Sequence, residues 1–361
     1  MTDHDRELQP VPSGRWSELH SAIEKLHPAY FALVMATGIL AVACHLLGIP
    51  TLPAGLFWLN VVAYVVLSIL TVVRIVKFPR QFFADFSSHQ RGPGFFTFVA
   101  ATGVVGVQLV VQQQRIEAAR SFWWVAFALW VVFTYSVFTA ITTKRNKPDL
   151  ADGINGGWLT AVVGTQSLVV LGTMAPPLTG SGEGTTLALL SLWLAGGMLY
   201  IWMISLIFYR YTFFRFLPTD LMPPYWINMG AMAISTLAGA LLIRQAPQSE
   251  LIRDLLPFIK GFTLLFWATA TWWIPMLLVL GVWRYIANRI PLTYDPLYWG
   301  VVFPLAMYTT ATYRLAEALG APYLMFIPKL MLGAAITAWL MTFLGLVMEL
   351  TRATARTLRR A

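Results

Sequence analysis

Five openings of similar composition recur along this chain at nearly constant spacing. Each opening has a Pro or Gly followed by aromatic residues, and each precedes a long uncharged segment rich in small residues. The steps between successive openings are 65, 63, 67 and 73 residues, counted between their first aromatic residues: Tyr30, Phe95, Trp158, Tyr225 and Tyr298. A fixed period indicates one structural unit used repeatedly. Five such units can surround a common axis, so the repeat suggests a pore.

The composition indicates an integral membrane protein. The chain has 361 residues, of which 58% are hydrophobic and 11% charged, and a soluble domain cannot bury that much apolar surface. Continuous apolar runs of about 20 residues are typical of spanning helices, whereas a transmembrane barrel would show short alternating segments. The sequence therefore predicts an all-α polytopic membrane protein with ten transmembrane helices near 28–47, 54–73, 95–114, 121–143, 153–174, 184–209, 221–243, 261–283, 296–313 and 330–348.

The basic residues predict the orientation. If residues 1–27 form a cytoplasmic tail, 18 of the 25 Lys and Arg residues fall on the cytoplasmic side and 4 on the outside. This bias places both termini in the cytoplasm. The prediction is a transmembrane transport domain over 28–348 and a basic cytoplasmic tail over 349–361. The protein would be multi-pass, in the cell inner (plasma) membrane. Topology and contact with the lipid bilayer explain the net charge of +9 without a nucleic-acid partner.

Short external connections indicate that consecutive helices pair as five helical hairpins. The odd helices carry small and hydroxyl residues, whereas the even helices carry bulky ones, so we expect an inner ring of odd helices around a central pore, with pseudo-fivefold symmetry. A packing face between helices would have the same composition, and both interpretations stay open. The candidate pore-lining residues are Phe31, Thr37, Gly38, Phe96, Thr102, Gly103, Thr165, Gln166, Asn228 and Tyr308.

The chain lacks the sequence signatures of soluble enzymes and of metal sites. It has no Gly-rich phosphate loop and one cysteine, and its five histidines are scattered. We therefore expect no catalytic residue, no metal and no cofactor. No acidic residue lies deep in a predicted span, although proton-driven carriers commonly use one. An acid-poor lumen with basic residues near its mouths favours anions.

Two features of the ninth span are candidates for a role in transport. Arg314 lies 16 residues after Tyr298, which places it near the outer mouth, where it could attract anions or pair with Glu317 three residues later. Pro304 interrupts the helix and places Phe303 at the break. A ring at this position could block the path or could be ordinary packing.

The motif Met35-Ala-Thr-Gly38, the five openings and the segment Trp299-Gly-Val-Val-Phe303-Pro304 resemble one family over residues 28 to about 348. It is the tellurite-resistance/dicarboxylate transporter family, which includes fungal malate permeases, fungal sulfite exporters and plant slow anion channels. The resemblance implies a homotrimer with one pore per subunit. It also implies that Phe303 is a gate. In the channel members a Gly contacts the gate ring, and the matching residue here is Ala32. This makes the chain more similar to the malate and sulfite carriers.

The predicted function is transport of small anions through a phenylalanine-occluded pore, and not catalysis. We expect C4-dicarboxylates such as malate, with sulfite or another inorganic anion as the alternative. Channel and proton-coupled carrier both remain open. A membrane sensor or assembly subunit is the alternative from a different class. The sequence leaves open which anion passes and in which direction.

Overall fold

The computed structural model describes residues 15–177 and 182–359, and within these residues it contains helices and no strands. This agrees with the predicted all-α membrane protein. Ten long helices account for most of the described chain, and we number them in chain order. They are α1 Ala32–Leu46, α2 Leu52–Lys77, α3 Phe96–Gln113, α4 Ile116–Thr143, α5 Thr160–Met174, α6 Glu183–Phe213, α7 Ile227–Arg244, α8 Leu256–Val282, α9 Trp299–Leu319 and α10 Phe326–Arg359.

Each of the five openings forms a short 3-10 turn that leads directly into an odd-numbered helix. Four of the turns carry Pro in their first two positions, where its fixed φ suits a helix start and its missing N–H is not needed. In three turns a side chain before the turn (His27, Asn155 or Asp295) accepts a backbone N–H bond as an N-cap. The turns are Pro28–Phe31, Gly92–Phe95, Gly156–Leu159, Pro223–Trp226 and Pro296–Tyr298.

The odd helices pack in a closed order. Helix α1 contacts α3, α3 contacts α5, α5 contacts α7, α7 contacts α9, and α9 returns to α1. The five 3-10 turns contact one another in the same cyclic order. Each even helix packs on the odd helix before it and also touches the next odd helix around the ring. These contacts have the order that the predicted inner and outer rings require.

Nine helical segments within the described residues are long and apolar enough to cross a bilayer. The ninth long helix, α9, is not among them, although its 21 residues would extend about 32 Å. Most of α9 is buried by its neighbours, and its last turns carry Arg314 and Glu317. A helix enclosed by other helices does not need the apolar surface of a lipid-facing span, which explains its lower hydropathy.

The two ends of the molecule differ in structure. The five 3-10 turns lie at the N-terminal ends of the odd helices, and we call that end the turn face. The short connections within the hairpins lie at the other end, the hairpin face. The last helix, α10, continues to Arg359, beyond the predicted end of the tenth span at 348. The described part of the predicted C-terminal tail is therefore helical. Of the predicted N-terminal tail, residues 1–14 lie outside the described residues.

A buried charge cluster fixes the turn face of the first hairpin. Asp85 accepts bonds from Arg74 at 2.8 Å and from Arg91 at 2.8 Å. The neighbouring His27 ring accepts the Ala29 N–H through Nδ1 at 3.0 Å, and burial together with the Arg91 charge lowers the pKa of His27 to about 4. His27 is therefore neutral near pH 7, which keeps its Nδ1 lone pair free for the N-cap.

Candidate functional site

A small cavity of about 10 Å³ lies among the C-terminal halves of the odd helices, and residues of all five helices line it. Its size is at the lower limit for a single water molecule. Ten of its lining residues fall into two rows, which lie 12 and 16 residues after the first aromatic of each opening. The first row is Val42, Val107, Val170, Leu237 and Thr310, and the second is Leu46, Val111, Met174, Leu241 and Arg314. All five helices therefore present the same face to one axis.

Phe303 lies on this same face of α9. It precedes Thr310 by seven residues, close to two helical turns, which places it about 10 Å nearer the turn face. Its side chain is 1% exposed. At the matching position, five residues after the first aromatic, the other odd helices carry Met35, Ala100, Val163 and Gly230. Phe303 thus supplies the one aromatic ring of this row. The gate assignment itself stays a prediction.

Pro304 and Gly230 bring α9 and α7 into close contact next to Phe303. A Cβ atom built on Gly230 would stand 2.7 Å from Cγ of Pro304, closer than real Cβ contacts. Pro304 lies inside α9 and donates no backbone bond, so the carbonyl of Gly300 lacks its usual helical partner. At the predicted gate, α9 therefore lacks one helical hydrogen bond, and α7 packs closely against it.

The hydroxyls of three predicted pore-lining threonines point toward the outer ring. Thr37, Thr102 and Thr165 each precede a cavity residue by five positions, about 140° around the helix. Each hydroxyl bonds an aromatic side chain of an even helix, at 2.8–3.0 Å; the pairs are Trp339 with Thr37, Tyr64 with Thr102 and Trp130 with Thr165. These hydroxyls join neighbouring hairpins. A lining role for them stays a prediction that this arrangement does not favour.

Three further predicted lining residues also bond even helices. The Tyr308 hydroxyl lies 2.7 Å from that of Thr271 on α8. Asn228 donates to the Tyr211 hydroxyl at 3.2 Å, and Gln166 donates to the carbonyl of Trp193 at 3.0 Å. Their side chains therefore extend away from the axis cavity.

The remaining predicted residues are buried or half-buried contacts between helices. The Phe31 ring stacks on Phe98 at 4.1 Å, and the Phe96 ring lies 5.9 Å from that of Phe138 on α4. A Cβ on Gly103 would stand 3.0 Å from Ser167 of the next odd helix. The other two residues, Ala32 and Gly38, are buried near the start and in the middle of α1, and Gly38 faces Val104 of α3. A contact between Ala32 and Phe303 stays a prediction.

At the hairpin face, Glu317 joins two arginines of neighbouring odd helices. Its carboxylate accepts from Arg314 at 2.7 Å and from Arg244 at 3.2 Å. Arg314 lines the axis cavity and is 16% exposed, whereas Arg244 is 49% exposed. Two guanidinium groups and one carboxylate leave one net positive charge at this mouth. Arg314 therefore both pairs with Glu317 and faces the axis, so the two alternatives for this residue are compatible.

The family model described as a voltage-dependent anion channel matches residues 25–347. The chain belongs to this family. The family resemblance derived from the sequence is confirmed, and membership makes this chain an anion transporter of the channel family. A cluster of three or more His, Cys, Asp or Glu residues able to hold a metal does not occur in the part of the chain that the structure describes.

Two of the following relatives match over most of the chain, and the third matches over less than half of it. An uncharacterized transporter of Methanocaldococcus jannaschii is 26% identical over 84% of this chain and 88% of its own length. A sulfite efflux pump of Trichophyton rubrum is 23% identical over 84% of each chain. An uncharacterized membrane protein of Mycobacterium tuberculosis is 36% identical over 44% of this chain and 80% of its own length.

The axis-facing rows of this anion channel family member were missed by sequence reasoning, although a signal for them exists. The signal is the spacing of 16 residues that separates Arg314 from Tyr298, the first aromatic residue of the fifth opening. The same offset from the other four first aromatics gives Leu46, Val111, Met174 and Leu241, which all line the cavity. Polarity instead indicates residues such as Thr37, Thr102 and Thr165, which lie on the face that packs on the outer ring.

Proposed function

We propose that this protein transports small anions along the axis of its five odd helices, with the Phe303 ring occluding the path. One observation carries the proposal: side chains at the same two offsets in all five openings line one central cavity, and Arg314 is the charged residue among them. Phe303 lies on the same face about two turns away. The cavity itself, at about 10 Å³, is too small to hold an anion in this conformation.

Fixed dipoles and charges at both mouths support anions as the transported species. The N-terminal ends of all five odd helices converge at the turn face, and each end carries a partial positive charge. At the hairpin face, where the helix C-termini would repel anions, Arg314 and Arg244 exceed Glu317 by one charge. A passage with positive mouths and apolar walls would select by charge sign and size.

The walls favour a compact oxyanion such as sulfite over a C4-dicarboxylate such as malate. Malate carries two separated carboxylates, and both would lose water in a lumen whose described lining offers one cation and mainly Val, Leu and Met side chains. A compact anion needs a smaller opening, and it can lie against the single guanidinium of Arg314. The similarity to a sulfite efflux pump also supports sulfite as the first candidate and malate as the second. Malate, which the sequence had favoured, becomes the second candidate.

Passive conduction suits the described axis better than proton coupling. Carboxylate and His relays within a membrane are typical of proton-driven carriers. Among the described residues that line the cavity there is neither a carboxylate nor a His. We therefore expect a pH gradient alone to drive no uphill uptake. Cytoplasmic termini, an inner-membrane location and a homotrimer stay proposals that rest on the charge bias and on the family resemblance.

The test is anion flux into liposomes that contain the purified protein. Malate, succinate, sulfite, nitrate and chloride would be compared, with sulfite expected to pass faster than malate. Phe303→Ala should raise the flux of permeant anions by about tenfold, which corresponds to a barrier lower by about 1.4 kcal/mol. The matched control is Phe326→Ala on the exposed start of α10, which should leave flux unchanged.

Three outcomes would contradict the proposal. Equal flux in wild type and Phe303→Ala would remove the gate assignment. Faster malate than sulfite would restore the dicarboxylate as the first candidate. No flux of any anion from folded protein, with or without Phe303, would favour a sensor or assembly subunit.

A further inference from the structure

The fifth hairpin departs from a contact that the other four share. Near the turn face, each of the first four even helices has a basic residue within three residues of its C-terminal end, and the side chain of that residue donates to a backbone carbonyl in the segment before its own hairpin. The distances are 2.5–3.0 Å, and the pairs are Arg74 with Glu24, Lys144 with Ser87, Arg210 with Ala151, and Arg284 with Leu221. This bond ties each even helix to the opening of its hairpin.

In the fifth hairpin the corresponding residue is Arg352 of α10. Arg352 lines an open cavity of about 620 Å³, which we call the groove, together with Thr293 and Tyr294 of the segment that precedes the fifth opening. Glu349, one turn earlier on α10, lines the same cavity. Among the side chains that the structure describes, which exclude those of residues 15–19, 353 and 356–359, neither Arg352 nor Glu349 has a hydrogen-bond or ion-pair partner, and the two do not pair with each other. Two opposite charges therefore lie at one end of this groove without a partner among the described side chains.

In the fifth hairpin, a ring contact replaces the bond from the basic residue and fixes the segment before the opening. The Tyr294 ring packs on Gly345 of α10, where a Cβ atom would stand 2.7 Å from Cδ2 of Tyr294. Gly345 therefore forms a notch for the ring. With the segment fixed by this contact, Arg352 is available for another partner.

The groove has the dimensions and polarity of a lipid site. Its walls toward the membrane centre are apolar and include Val301, Ala338 and Met341. From Ala338 to Glu349 the helix rises about 16 Å, close to the depth of one leaflet of a hydrocarbon core about 30 Å thick. The charged pair lies at the turn-face end, where the headgroups of that leaflet would be.

We propose that this groove binds one phospholipid whose headgroup carries a free ammonium, as phosphatidylethanolamine does. The phosphate would accept bonds from Arg352, the ammonium would donate to Glu349, and an acyl chain would lie along Val301, Ala338 and Met341. The carboxylate of Glu349 would repel a lipid whose headgroup is purely anionic. A choline headgroup carries a positive charge but no N–H to donate. The charge pair therefore selects one headgroup class.

The test is competitive retention of lipids, measured by native mass spectrometry of the purified full-length protein in detergent. Phosphatidylethanolamine, phosphatidylglycerol and phosphatidylcholine with identical acyl chains are added in equal amounts. We expect one phosphatidylethanolamine per chain, retained about tenfold over phosphatidylcholine, as one charge-assisted hydrogen bond would give. Glu349→Gln should abolish this preference, and Arg352→Gln should reduce retention of all phosphate headgroups.

Two matched variants separate lipid binding from folding. Lys329→Gln removes a basic residue from the other end of α10 and should leave retention unchanged. Ala338→Trp fills the apolar wall without altering either charge and should lower retention of all three lipids.

Equal retention of the three lipids by wild type would overturn the proposal, as would a preference for phosphatidylglycerol. A loss of oligomers in Glu349→Gln or Arg352→Gln with unchanged lipid retention would assign the groove to a second copy of this chain. These readouts do not depend on anion flux, so the lipid site and the transport function can fail separately.

Discussion

The two faces of the odd helices differ in a way that reverses the usual expectation for a pore. The face toward the axis is mainly apolar, as in the row Val42, Val107, Val170 and Leu237. The opposite face carries hydroxyl groups, and these bond Trp and Tyr side chains of the even helices. Polarity in this molecule thus connects the two rings of helices and is scarce along the described axis.

The comparison teaches where anion selectivity can reside. The hydroxyls of Thr102 and Thr165 each bond an outer aromatic side chain and also donate to the backbone carbonyls of Phe98 and Ala161, so they have no free O–H to offer an anion. The helix N-termini at the turn face and the Arg314, Arg244 and Glu317 group at the hairpin face remain as sources of a positive field. Substitutions on the outward face should therefore change stability, whereas substitutions at the axis and its mouths should change flux.

The largest effect is expected at the contact between two odd helices beside Phe303, the predicted gate. In Gly230→Leu the new side chain would overlap Pro304, which belongs to a rigid ring and cannot move aside. We expect destabilisation by about 3 kcal/mol or more and a large loss of folded protein. Thermal unfolding in detergent, followed by size-exclusion chromatography, would measure it.

The matched control is Gly333→Leu on α10. No atom lies within 4 Å of a Cβ built there, so this variant should retain wild-type stability. Equal stability of the two variants would show that the close approach of α7 and α9 is not required by the fold.

The next effect concerns the outward face. Trp339 of α10 donates to the Thr37 hydroxyl at 3.0 Å and so connects the fifth hairpin to the first. A double-mutant cycle of Thr37→Val and Trp339→Phe should give a coupling of about 1 kcal/mol in unfolding, the usual worth of one buried hydrogen bond. Relative flux of sulfite, nitrate and chloride should stay unchanged in Thr37→Val. A shift in that selectivity would place Thr37 in the pathway and break the comparison.

The sequence predicted the fold better than it predicted the residues that line the axis. Each of the five openings leads directly into an odd helix, and four of them carry Pro, which at a helix start is a local signal. Orientation around a helix axis is not a local property when a helix is buried on all sides. Thr37 and Val42 both lie in such a helix, and composition alone does not show which one faces the centre. The residues at the same offsets in all five repeats show that the Val42 position faces the centre.

The smallest effect is expected from the charge at the hairpin mouth. Arg314 and Arg244 both pair with Glu317, but Arg314 also lines the axis cavity. Arg314→Gln removes the net positive charge at the axis and should lower anion influx from that side about fivefold at low salt, or about 1 kcal/mol. The effect should shrink at higher ionic strength, because salt screens a charge near water. Arg244→Gln makes the same change in net charge at a more exposed position and should lower influx less. If both variants lower influx equally at every salt concentration, the mouth acts only through its total charge, and the axis position of Arg314 has no separate role.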